Sequence, residues 1–114
     1  MILELTPAQL EFQHAVEQFV RTDVEPAASH IDESGEFPVT LLKRAGEHGL
    51  MGVTVPQALG GGGRDYVSYV LAVEAVSRGS ATLGVILIVN NSLVAEVLAR
   101  FGADVHKERW LRAL

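Results

Sequence analysis

Cysteine is absent from all 114 residues, which removes disulfides, thiolate nucleophiles and every cysteine-ligated metal or iron–sulfur centre. A reducing compartment fits such a composition. Basic residues are also scarce: 9 Lys and Arg stand against 14 Asp and Glu, a formal net charge of −5. So few cations cannot neutralise a phosphate backbone or coat an anionic membrane, so nucleic acid is not an expected partner. The opening MILELTPAQL has neither the basic n-region nor the long apolar run of a signal peptide. The expectation is a cytoplasmic protein whose mature chain starts at Met1. Long apolar runs are missing too, because Asn90, Asn91 and Ser92 interrupt the strongest one well short of the roughly 20 residues a bilayer demands. No membrane span is expected.

What the chain does have is apolar content, 48% of its residues, enough for the packed core of one domain spanning residues 1–114. The pattern is helical almost throughout. Thr6-Pro7-Ala8-Gln9 combines a threonine N-cap, proline at the first helical position and glutamine to close a capping box. Phe12, Val16, Phe19 and Val20 then recur at the spacing of one buried face, and this first helix is expected to fade around Pro26. Asp32, Glu33, Ser34 and Gly35 read as a turn. Pro38 opens a short second helix with Leu41, Leu42 and Ala45 on its apolar side, ended by Gly49. Leu50 to Pro56, LMGVTVP, reads as an extended connector, since Gly52 and Pro56 argue against a strand.

Asp65 is placed to cap a third helix running to Arg78, and Ser80 a fourth running to Arg100, which Gly102 ends. Both are apolar on nearly every face, the pattern of helices buried on all sides. A last helix is expected from a cap at Asp104 to Leu114. Its ending, RWLRAL, has no glycine, proline or polar tail behind it and is expected to be a cut through a longer chain. Three short amphipathic helices cannot cover two such central ones completely, so the domain should expose an apolar patch and associate through it, as a homo-oligomer or with other domains.

Catalytic groupings are sparse. His14, His30, His48 and His106 lack any metal-ligand spacing, and no metal site is expected. Asp32, Glu33 and Glu36 suit a solvated loop better than an acid/base pair, which needs one buried carboxylate. Ser92 has no base beside it and is expected to be a structural polar partner. The glycine run LGGGGRDY, Leu59 to Tyr66, suggests a phosphate loop, but the sixth residue from Gly60 is Asp65, where a dinucleotide fingerprint needs glycine, and its carboxylate would repel a pyrophosphate. A P-loop would need lysine and then a hydroxyl residue where Arg64-Asp65 stands. The glycines read as a sharp turn leading into a capped helix.

Taken together, LTPAQLEFQHAVEQFVRTDVEPAA, FPVTLLKRAGEHGLMGVTVPQALGGGGRDYVSYVLAVEAVSRGSAT and NNSLVAEVLARFGADVHKERWLRAL resemble the N-terminal domain of acyl-CoA dehydrogenases, with a short-chain flavour in Val-Asn-Asn-Ser-Leu. The resemblance implies an all-α bundle of about five helices. It also implies a parent flavoenzyme that converts an acyl-CoA thioester to a trans-2-enoyl-CoA and passes electrons to an electron-transfer flavoprotein. FAD and the catalytic glutamate are expected in the middle β-domain and C-terminal helical domain, neither of which lies in this sequence. No catalytic or cofactor-binding residue is therefore assigned. The helix matching Ala81 to Arg100 is expected to line the acyl pocket, through Val85, Val89 and Leu93 on one stripe. The alternative is a stand-alone helical interaction module derived from the same domain.

Overall fold

The computed structural model describes residues 3–114, and every regular element among them is helical. Seven α-segments follow one another: α1 (Pro7–Phe19), α2 (Glu25–Ser34), α3 (Val39–Glu47), α4 (Tyr66–Gly79), α5 (Ala81–Ile88), α6 (Glu96–Phe101) and α7 (Asp104–Arg109). π turns at Val20–Val24 and Val89–Ala95 fuse α1 to α2 and α5 to α6, so the seven segments make a bundle of five rods. Leu50 to Pro56 bends between α3 and the glycine loop without strand pairing, the connector that Gly52 and Pro56 require.

Caps form where the side chains call for them. Gln9 N–H donates to Thr6 Oγ1 at 3.2 Å, and Thr6 N–H donates to Gln9 Oε1 at 2.9 Å. The Asp65 carboxylate accepts from the Ser68 amide at 2.8 Å, and Ser80 Oγ from the Leu83 amide at 3.2 Å. Gln9 Nε2 also reaches Asp65 at 2.8 Å, tying the start of α1 to the start of α4.

Three helix limits differ from the expectation. The first helix does not fade at Pro26; it runs on to Ser34. The π turn just before Pro26, where Glu25 N–H reaches back to Val20 O, widens the backbone where a proline ring would otherwise strike the preceding turn. Asp32, Glu33 and Ser34 are accordingly helical, and the break falls at Gly35, whose φ of 65° suits glycine. At the other end Asp104 is not the cap. Ala103 holds that position without a side-chain bond, while Asp104 lies in the first turn of α7, where its charge suits the helix dipole. That helix stops at Arg109, and a 3-10 turn, Leu111–Ala113, follows.

The core lies on the inward side of the long rods. Phe19, Val24, Leu50, Val76, Leu83 and Leu87 are sealed from solvent in one cluster, each large side chain contributing roughly 1.5–3 kcal/mol by its burial. Val55, Ala95 and Leu111 form a second, smaller cluster under the C-terminal turn. The expectation that α4 and the following rod are buried on all sides is corrected. Each buries one face only; Val67, Val70, Val85 and Ile88 look outward, because the remaining helices pack against the inward faces alone.

Candidate functional site

The rod Ala81–Phe101 carries the features that bear on function. Leu83, Leu87, Asn91 and Ala95, four residues apart, are all buried. In an unbroken α-helix twelve residues would leave the last of them about 120° out of line with the first. The π turn inserts one extra residue of winding and takes back about 100° of that, so the inward line stays straight.

The same register straightens the opposite face. Val85, Val89 and Leu93 are 60%, 42% and 66% exposed, and Val97 continues their line. The structure thus sets the three residues named from the sequence on one outward apolar stripe. By length and composition the 21-residue rod would suffice to cross a bilayer, a test that core helices of soluble proteins also pass. Its middle is polar and tied inward. Asn91 Oδ1 accepts from the Val53 amide at 2.8 Å, Asn91 Nδ2 donates to the Leu50 and Leu87 carbonyls at 2.8 and 2.9 Å, and Asn90 Nδ2 donates to the Met51 carbonyl at 2.6 Å. Ser92 pairs with the Tyr69 hydroxyl at 2.7 Å, a structural partnership.

A polar cluster lies at the C-terminal part of the same rod. Tyr66 OH donates to Glu96, and Arg100 donates to both, at 2.6 Å to the carboxylate and 3.0 Å to the phenol. Thr54 Oγ1 stands 3.5 Å from Glu96. These groups border a cavity of about 470 Å³ that Arg64, Asp65 and Ala99 also line. The Tyr66 hydroxyl first, and then Glu96, hold Arg100 above the usual arginine value, so it remains a cation. Asp65 is held below the usual carboxylate range, chiefly by the Ser68 amide and further by Gln9. The cluster's charged and hydroxyl groups answer one another and latch α4, α6 and the connector together. Among the described residues no three His, Asp or Glu side chains come together as metal ligands.

The glycine loop is engaged with its own chain. The amides of Gly60, Gly61, Gly62, Gly63 and Arg64 donate to the carbonyls of Gln57, Pro56, Gly52, Val55 and Val53. Those five donors point inward, away from any anion. The packing is tight enough to demand glycine: a Cβ at Gly61 would land on the Val55 carbonyl, and one at Gly62 would lie 2.9 Å from the Val53 oxygen.

Sequence reasoning missed the Tyr66–Glu96–Arg100 cluster, in which Tyr66 on α4 joins an i,i+4 ion pair of α6 that lies 30 and 34 positions further along the chain. It also treated Asn90 and Asn91 as interruptions of an apolar run and as part of a family-like string, not as a tether. Two adjacent amides inside an otherwise apolar helix were the available signal for a tether, since buried amides need partners.

An all-α domain of five rods, with a connector tethered to a π turn and one apolar stripe left open, is the class defined so far. Residues 6–114 match the family described as acyl-CoA dehydrogenase, N-terminal domain, and the chain belongs to that family. An acyl-CoA dehydrogenase of Bacillus subtilis is 39% identical over 109 residues, 96% of this chain and 29% of the relative. Among solved structures, a chain of the electron transferring flavoprotein of Acidaminococcus fermentans superposes with a TM-score of 0.92 at 30% identity, covering 98% of this chain and 30% of that one. Butyryl-CoA dehydrogenase of Megasphaera elsdenii superposes with a TM-score of 0.89 at 28% identity, with the same coverage. The chain therefore spans less than a third of the proteins it resembles.

Proposed function

We propose that this chain serves as the N-terminal domain of an FAD-dependent acyl-CoA dehydrogenase and that Val85, Val89 and Leu93 form part of the wall against the acyl chain. One observation carries the reading: an outward stripe of branched side chains on the long rod, held rigidly from behind and uncovered by the rest of the domain. Such a stripe suits alkyl contact, because it offers apolar area without polar groups to desolvate. The reaction assigned to the full-length protein is α,β-dehydrogenation of an acyl-CoA thioester to a trans-2-enoyl-CoA, with an electron-transfer flavoprotein as the downstream partner. The butyryl-CoA dehydrogenase likeness favours a short acyl chain.

This chain's own contribution is shape, not chemistry. The residues of the glycine loop do not fit a flavin phosphate, because their amides are already donated inward. FAD and the catalytic base are accordingly assigned to the remainder of the full-length protein. The apolar stripe also suits contact with neighbouring domains or a second subunit, and the acidic, cysteine-free composition suits the cytoplasm.

The test compares the 114-residue chain with the full-length protein. Flavin absorbance, and its bleaching on addition of butyryl-CoA, are expected in the full-length protein and not in the short chain. A full-length protein without flavin would overturn the reading in favour of an interaction module, and a yellow one that butyryl-CoA does not bleach would overturn the short-chain acyl-CoA reaction.

A further inference from the structure

Asn91 is only 4% exposed and every hydrogen-bonding atom of its side chain is engaged, two of the bonds with the connector and one with the turn before it. Asn90 adds another bond from rod to connector. The arrangement needs an amide: one oxygen meets an N–H while one nitrogen meets two carbonyls. Aspartate would set a carboxylate against those carbonyls, and leucine would leave an amide and two carbonyls unpaired.

The bonds fall inside the π turn Val89–Ala95, and Val89 and Leu93 lie two residues to either side of Asn91. If the turn relaxed to α geometry, the outward residues beyond it would rotate by about 100° relative to those before it. Val85 and Leu93, about 20° apart around the rod with the π turn in place, would then stand about 80° apart.

We infer that Asn91, assisted by Asn90, is a positioning residue that fixes the register of the Val85–Val89–Leu93 stripe and thereby sets which acyl chain lengths fit against it. The inference rests on the acyl-wall reading proposed above. Its scale is set by apolar fit, where one methylene is worth roughly 10- to 200-fold in kcat/KM.

The experiment measures kcat/KM for butyryl-CoA and octanoyl-CoA in the full-length protein and its Asn90→Ala, Asn91→Ser and Val89→Ala variants, each first shown to be folded by thermal melting and flavin-loaded by its visible spectrum. Asn90→Ala loses one half-buried bond and is expected to change the butyryl-to-octanoyl ratio by about threefold, and Asn91→Ser by about tenfold, with the change carried in KM rather than kcat. If Asn91→Ser fails to fold, the Asn90→Ala ratio decides alone. Folded Asn90→Ala and Asn91→Ser variants with unaltered ratios, beside a shifted Val89→Ala, would overturn the positioning role and leave the acyl wall standing. An unaltered ratio in Val89→Ala as well would remove the acyl wall, and the inference with it.

Discussion

The two long rods each contain one π turn, and the two turns have opposite origins. In the first, Val20–Val24 precedes Pro26, whose ring and missing N–H are incompatible with a regular turn, so the distortion arises within the segment itself. Both Val20 and Val24 are buried, and Gly79 packs so close that a Cβ there would sit 2.6 Å from Val20. In the second, Val89–Ala95 holds no proline or glycine, and its distortion is matched by bonds from Asn90 and Asn91 to a connector some forty positions earlier. Its outward face stays open. A π turn set by local backbone chemistry serves packing here, whereas one fastened from a distance holds an exposed face in register.

The largest break in that comparison should come from the connector to which the second turn is fastened. Gly61→Ala would drive a Cβ into the Val55 carbonyl, where only backbone can give way. A loss of about 3 kcal/mol or more is expected in urea unfolding of the chain. Stability close to that of the wild type would show that the loop yields more easily than its packing implies.

Next comes the contrast between the turns themselves. Asn91→Leu strands the Val53 amide and the Leu50 carbonyl, at a cost of about 2–3 kcal/mol, while Pro26→Ala should stay within about 1 kcal/mol because alanine accepts either winding. Thermal melts of the two variants side by side give the ranking. The reverse order would mean that the second turn, not the first, is the locally determined one.

A smaller effect is expected from Asp65, which joins the start of the first rod to α4 through Gln9. Its folded pKa lies below the ordinary carboxylate value, so the unfolded chain binds the proton more readily. The stabilisation is therefore complete above about pH 4–5 and is lost as pH falls through the depressed folded pKa. Unfolding midpoints measured from pH 6 to pH 2 should fall less steeply for Asp65→Asn than for the wild type; parallel curves would dismiss the link.

The smallest effect belongs to the open face. Val85→Ser and Leu93→Ser should alter the stability of the 114-residue chain by no more than about 0.5 kcal/mol, since both side chains are already exposed. Leu87→Ala on the inward line should cost about 2–5 kcal/mol. Comparable losses on the two faces would show that the stripe is covered within the domain itself.

Much of the fold could be read from residues in order. Thr6, Asp65 and Ser80 announce helix starts because a capping side chain acts within three residues of itself, and each caps as expected. Pro26 misled for the same local reason: as a helix breaker it suggested an end, and the widened turn that accommodates it is visible only in three dimensions. Asp104 misled because a favourable charge in the first turn and a cap look alike in sequence. The stripe Val85, Val89 and Leu93 was legible as a spacing of four, but a spacing of four drifts around an α-helix. Only the π turn makes it a straight line.

By itself the sequence determined the helical class, the principal caps, the connector and the membership implied by its strings, because those depend on interactions within a few residues or on the order of segments. Tertiary structure alone decided which face of each apolar helix is covered, how the glycine amides are used, and that Tyr66, Glu96 and Arg100 meet. The glycine-loop amides find carbonyls 3 to 11 residues back and Tyr66 finds partners 30 or more residues on, and in both cases the path of the folded chain, not a fixed spacing along it, brings the groups to bonding distance.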